Sequence, residues 1–282
     1  MLRISCSDYT WPGLSHPTVL QVIRDIGFTG VDLGLFGDST HLTLTELRNS
    51  PQRYAAEVRG RLAQHGLAAA DLFLTPDATS LALLDPGNPD PADQARSLEI
   101  FDDTVAFAVE LGVSGITLLP GVRHPGQTHR EALASAANGL AVRVDRARAA
   151  GLRLSFEPHL GSVTDTVERI ADLVAATPGL EVTLDPSHLA FAGATPAEML
   201  ELAAAVRHVQ LRAGGIGKMQ TRLADNEIDF TALLHGLWAG GYDGWLATEY
   251  VWMAKWDCDR VDNTAETIAL KQHVEVQWAA WA

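Results

Sequence analysis

The sequence predicts an α/β chain folded as a single (β/α)8 barrel spanning residues 1–282. Three observations lead there. Leu152 to Gly193 reads strand, helix, strand: two short apolar runs, LRLSF and LEVTL, flank a segment with Val167, Ile170, Leu173 and Val174 at helical spacing, which is the parallel unit with a crossover. That strand-then-helix alternation recurs eight times along the chain, and eight such units at this length imply a closed parallel barrel. No G-x-G-x-x-G follows the first strand, which disfavours the alternative, an open doubly wound sheet.

In order, Leu2 to Ser7 is the first strand, and Pro17 opens a helix whose buried stripe is Val19, Leu20, Val22, Ile23 and Ile26. Proline suits a first turn because its missing N–H has no partner there. Gly30 to Leu35 is the second strand, and Leu44 to His65 a helix that Pro51 breaks in two. Ala68 to Leu74 is the third strand. Thr75 to Pro91 is a long turn-rich loop of the kind that covers sites. Asp93 to Leu111 is helical, Gly115 to Leu119 the fourth strand, Pro120 to Thr128 a loop with Arg123 and His124, and Arg130 to Ala150 an alanine-rich helix. After the central unit come a helix over Pro196 to Ala205, a seventh strand over Arg207 to Leu211 and a glycine-rich loop, AGGIGKMQTRLADNE. A helix over Phe230 to Ala239, an eighth strand over Trp245 to Thr248 and a closing helix over Thr264 to Trp281 complete the barrel.

The bulk numbers bound the function. A chain 47% hydrophobic and 20% charged is ordinary for a soluble globular protein. A formal net charge of −14 opposes a nucleic-acid or anionic-membrane partner, both of which call for a basic face. Cys6 and Cys258 are too few for a disulfide framework or a four-cysteine zinc site. The start, MLRISCSDYTW, lacks the pattern of a signal peptide, and no apolar run is long enough to span a membrane. The expectation is a soluble cytoplasmic enzyme.

Its chemistry sits at the strand ends. In a parallel barrel the C-terminal ends of strands five to eight surround one mouth, and here they present Glu157, Asp185, His208 or Gln210, and Glu249. Converging carboxylates in a partly dry pocket repel, and a divalent cation relieves that repulsion. Oxygen-rich ligation with at most one nitrogen suits Mn²⁺, Mg²⁺ or Co²⁺. Helix capping or pairing with rim arginines would have to arise independently at every strand end to give the same pattern. His208 and Gln210, two apart on a strand, share a face, and the later residue lies nearer the mouth. His159 and His188 follow the acids closely enough to meet a substrate, as do Arg212 and Lys218 beside the loop glycines. Tyr9, Trp11, Trp252 and Trp256 fall after strands one and eight, placed to wall a sugar-sized pocket or a subunit interface. His16, His65, His129, His235 and His273 fall on helices and are expected to do no chemistry.

These residues resemble the xylose isomerase-like TIM barrels, the sugar phosphate isomerase/epimerase superfamily that includes ketose 3-epimerases, inosose dehydratases and endonuclease IV. The resemblance is strongest from Leu152 to Glu249. It implies one ion, Mn²⁺ foremost with Mg²⁺, Co²⁺ or Zn²⁺ as alternatives, held by Glu157, by Asp185 with its D-x-x-H partner His188, by the second residue of an H-x-H pair, and by Glu249. It implies Glu157 and Glu249 as the acid/base pair, and Arg212, or Arg222, as a substrate contact. This chain departs at Gln210, where the family usually has histidine, leaving His208 as the substitute. The run Ala224 to Phe230 likewise lacks the first glycines of the family's G-E-G-x-I-D-F.

The expected activity is a metal-dependent sugar isomerase or epimerase, in which two glutamates remove and return a proton beside a polarised carbonyl. A lyase or dehydratase acting on a keto-sugar or inosose is the first alternative. A degenerate barrel that binds sugar or serves as a partner subunit without turnover is the second, favoured by Gln210. The partner is a small sugar or polyol, with neither nucleic acid nor membrane, and the Trp-rich end hints at a homo-oligomer.

Overall fold

In a computed structural model that describes residues 2–76 and 84–281, the eight strands close on themselves in chain order. They are β1 Ile4–Ser7, β2 Gly30–Phe36, β3 Ala68–Thr75, β4 Gly115–Leu118, β5 Arg153–Phe156, β6 Leu180–Leu184, β7 Val206–Leu211 and β8 Leu246–Thr248. Every neighbouring pair is parallel, and β8 returns to β1 with Ser5 opposite Ala247. The surrounding helices are α1 His16–Ile26, α2 Leu44–Asn49, α3 Pro51–His65, α4 Pro91–Leu111, α5 His129–Ala149, α6 Val167–Ala176, α7 Pro186–Phe191, α8 Pro196–Leu200, α9 Phe230–Ala239 and α10 Asn263–Ala279. No helix among the described residues is long and apolar enough to cross a membrane.

Local chemistry accounts for most boundaries. Thr128 and Thr195 each form a capping box with a glutamate three residues on, and Thr43, Asp90, Thr166, Asp229 and Asp262 cap their helices through side-chain oxygens. Pro51 splits the second crossover into α2 and α3 as expected. Two expectations fail. The sixth crossover is not one helix over Pro196 to Ala205: α8 ends at Leu200, and a 3-10 turn takes Ala203–Ala205. An additional helix, α7, starts directly after β6, because Asp185 caps it and Pro186 begins it. The expected loop over Thr75 to Pro91 lies partly on residues 77–83, outside the described residues; Thr75 closes β3 and Pro91 opens α4.

The apolar core fills the space between strands and helices, but the barrel interior is strongly polar. Two bulges arrange this. Between Val31 and Asp32 the register with β3 shifts by one, and between Val182 and Thr183 the register with β7 does the same. The second bulge leaves Arg207 as the extra residue, and its guanidinium enters the barrel. There it donates to Asp71 Oδ1 at 2.7 Å and to Ser155 Oγ at 2.9 Å, beside Thr117 and Thr183. Gly115 gives it room, since a Cβ there would stand 2.5 Å from Arg207 Nη1. Farther along the barrel, Ser5 and His208 both hold Asp32, at 2.7 and 2.6 Å. The interior is thus a stack of polar layers, and those around Arg207 and Asp32 are held by hydrogen bonds within the barrel, as burial requires. The uppermost carries the strand-end acids.

Candidate active site

Four strands deliver that layer. Glu157 follows β5, Asp185 follows β6, Gln210 lies on β7 with Arg212 just past it, and Glu249 follows β8. Backbone bonds continue the ladders to these points: Glu157 N–H donates to Leu118 O at 2.9 Å, and Glu249 N–H to Leu211 O at 2.8 Å. All five residues are at most 5% exposed. Glu157, Asp185 and Glu249 each offer an oxygen, all within 4.8 Å of one another.

Each acid is held differently. Asp185 Oδ1 accepts from the Ser187 amide at 2.8 Å and its hydroxyl at 2.7 Å, the cap of α7. Asp185 Oδ2 faces Arg212, whose Nη2 donates to it at 2.5 Å. Glu249 Oε1 accepts from the Tyr9 hydroxyl at 2.6 Å, and that hydroxyl accepts from Gln210 Nε2 at 3.1 Å. Tyr9 reaches this position because β2 has Gly34 beneath its ring, where a Cβ would come within 2.4 Å. Gln210 Oε1 and Glu249 Oε2 are buried oxygens with no hydrogen-bond partner. Glu157 has His188 Nε2 at 4.0 Å.

Burial and the neighbouring Glu249 and Asp185 push the Glu157 pKa well above the usual carboxylate range. Burial does the same to Glu249, which Arg212 opposes and Asp185 reinforces, leaving it at about 8. Burial disfavours the charge of Arg212, but Asp185, Glu249 and Glu157 outweigh burial and raise its pKa. His188 is held neutral by burial and by Arg212, and burial lowers His159 to about 4.

The donor set suits a hard divalent cation. Three carboxylates in one buried cluster, with two orphaned oxygens on Gln210 and Glu249, form an anionic, oxygen-rich cradle. His159 and His188 stand beside it, with ring centroids 4.3 Å apart and Trp256 packed against both. Above lies a second apolar cluster of Tyr9, Phe73, Met219, Val251 and Cys258, flanked by Phe36, Leu119, Leu160, Phe191 and Trp256. Trp256 and Asp257 both adopt left-handed backbone (φ 59° and 57°), a strained turn that sets the indole over the histidines.

Other expected site residues lie elsewhere. His208 is not at the mouth: it sits deeper, on Asp32, and that carboxylate together with Asp71 raises its pKa against the effect of burial. Lys218 is half exposed and ion-paired with Glu227, away from the carboxylates, because the loop after β7 turns back on itself through Gly215 and Lys218. Trp11 donates to Thr264 Oγ1 at 2.9 Å and lines an outer cleft of about 580 Å³ with Trp252 and Val261. Arg222 pairs with Asp225 on the surface. Ser187, which holds both Asp185 and Arg212, and the Tyr9 hydroxyl were not foreseen as polar partners. The signal for Ser187 was present, since Asp-Pro-Ser is a helix-capping sequence.

A sequence model of the xylose isomerase-like TIM barrel family matches residues 20–272. Among solved structures, an L-ribulose 3-epimerase is 21% identical with a TM-score of 0.75, covering 99% of this chain and 95% of its own. A D-psicose 3-epimerase from Clostridium cellulolyticum H10, solved with D-tagatose, is 12% identical with a TM-score of 0.77, over 98% and 99% of the two chains. A probable 3-DHS dehydratase of petrobactin synthesis from Bacillus anthracis is 14% identical with a TM-score of 0.72, over 96% and 99%. At these identities the likeness is one of fold. No curated protein matches the chain in sequence.

Proposed function

We propose that this chain, which belongs to the xylose isomerase-like TIM barrel family, is a divalent-metal-dependent sugar isomerase or epimerase. In this reading Glu157 and Glu249 remove and return a proton next to a sugar carbonyl. One observation carries it: glutamates from β5 and β8 meet Asp185 in a single buried cluster, with oxygens within 4.8 Å of each other. Two carboxyls converging on one site are what proton transfer between two faces, or between adjacent carbons, demands. Small ketoses, the sugars for which the epimerases of the same fold are named, are the expected substrates.

Glu157, Asp185, Gln210 and Glu249 would hold the ion, with Mn²⁺ the best match to an all-oxygen set. When bound, it supplies Lewis-acid polarisation of a carbonyl. The protein does the rest. Tyr9 fixes one oxygen of Glu249, leaving the other directed at the cluster. His188, held neutral, is fit to hydrogen-bond a substrate oxygen, and the Trp256, Phe73 and Met219 walls exclude water that would compete for the proton. His159 and Arg212 complete the polar face.

The test is solvent exchange. Incubation of the Mn²⁺-loaded enzyme with a panel of ketoses in deuterium oxide is expected to place deuterium at a carbon beside the carbonyl. Glu157→Gln and Glu249→Gln should each lose that exchange by about 10²–10⁴-fold. A dehydrated product would instead make the protein a lyase, and sugar binding without exchange would make it a non-catalytic binder.

A further inference from the structure

Resting on the reading that a divalent ion binds these carboxylates, we infer that Arg212 is a built-in competitor of that ion. Its guanidinium holds the cluster together in the metal-free protein and, by doing so, sets how tightly the ion is held.

The hydrogen bonds lead to this residue by elimination. Asp185 Oδ1 is occupied by Ser187, and Glu249 Oε1 by Tyr9. The oxygens left over are Asp185 Oδ2 and Glu249 Oε2, and both face the same guanidinium, at 2.5 Å from Nη2 and 3.8 Å from Nη1. Arg212 is not a passing surface cation. It is 5% exposed, its Nε donates to Ser187 Oγ at 2.7 Å, and its Nη2 stands 2.9 Å from His188 Nε2. Its place follows from strand geometry, because Arg212, just past the end of β7, lies two residues after Gln210 and continues the inward face.

The charges then settle what Arg212 can and cannot do. One guanidinium answers three carboxylates, and among the described residues it makes no ion pair with Glu157. It pairs with Asp185 and faces Glu249, yet leaves two further carboxyl oxygens, which give up their protons when a divalent cation binds. An arriving ion must share or displace a guanidinium already seated on Asp185, and two cations at such range repel strongly in a buried site. Arg212 therefore stabilises the empty cluster and weakens the loaded one.

The experiment uses full-length protein stripped with chelator. Mn²⁺ binding is titrated by the electron paramagnetic resonance signal of the free ion, and melting is followed without metal. Arg212→Met is expected to bind Mn²⁺ at least tenfold more tightly than wild type, and to melt at a lower temperature when metal-free. Arg212→Gln, which keeps a donor for Asp185, carries the same expectation should the methionine variant fail to fold. Glu157→Gln supplies the control and should bind Mn²⁺ more weakly than wild type. If Glu157→Gln is weakened but neither Arg212 variant binds more tightly than wild type, the inference about Arg212 falls while the metal reading stands. If wild type, Glu157→Gln and both Arg212 variants all fail to bind Mn²⁺, both fall together.

Discussion

The metal-free protein is expected to lose stability as pH rises from 7 to 8, and the loss is traceable to two glutamates. Glu249 has its pKa raised from 4.5 to about 8 in the folded state, and Glu157 is raised well above its ordinary value. A carboxyl whose folded pKa is raised binds a proton that the unfolded chain has already released. Stability therefore falls with pH between the unfolded and folded values. Each fully protonated buried group contributes a slope of about 1.4 kcal/mol per pH unit. From pH 7 to 8, Glu249 approaches half-titration and contributes about 1 kcal/mol, and Glu157 acts in the same direction. At roughly 2–4 °C per kcal/mol, the Glu249 share alone should lower Tm by about 2–4 °C.

Other titrating groups do not cancel this. His41, His159, His188 and His273 have lowered folded pKa values, so they raise stability with pH, but only below the ordinary histidine range, and their contribution is complete by about pH 7. His208, raised by Asp32, acts in the same direction as the glutamates. Calorimetry of chelator-treated protein at pH 7.0, 7.5 and 8.0, on wild type beside Glu249→Gln, isolates the Glu249 share. Saturating Mn²⁺ should flatten the wild-type slope, because an ion holds the carboxylates deprotonated in the folded state at every pH tested. A metal-free wild type whose stability is flat or rising over this window, or a fall undiminished in Glu249→Gln, would refute the reasoning.

Three further outcomes are expected. Arg207→Met strands Asp71 as an uncompensated buried charge and should cost about 3–5 kcal/mol in urea unfolding, whereas Arg207→Met with Asp71→Leu should recover most of it. Gly34→Ala drives a methyl into the Tyr9 ring and should destabilise by about 1–3 kcal/mol; deuterium exchange should fall with it, because Tyr9 positions Glu249. Thr128→Ala removes one capping box, on a helix whose start is exposed, and should cost about 1 kcal/mol by thermal melt with exchange unchanged.

What the sequence made legible here is what local chemistry decides. Apolar runs and helical periodicity place all eight strands, because each run is buried on both faces and needs no distant partner to be recognised. The strand-end acids Glu157, Asp185 and Glu249 follow from the same parity, and the cluster they form is where barrel closure must bring them. What tertiary contacts decide is of another kind. Lys218 looks like a site cation by its glycine neighbours, yet a tight turn hands it to Glu227. His208 looks like a ligand by its spacing from Gln210, yet Asp32, 176 residues away, claims it. Arg207 enters the barrel only through a one-residue bulge, which reverses side-chain parity and leaves no trace in composition. For His208 and Arg207 a long-range ion pair decides the position, set by which charges closure brings within reach, whereas Lys218 is taken by a glutamate nine residues along in its own loop. Arg212 shows how far this goes. By sequence it is a substrate-facing arginine beside a glycine loop; by contacts it is the counter-charge of Asp185 and Glu249. The same side chain can serve both roles in turn only if something else takes those oxygens first, which is why the metal affinity of its variants, rather than their activity, is the informative quantity.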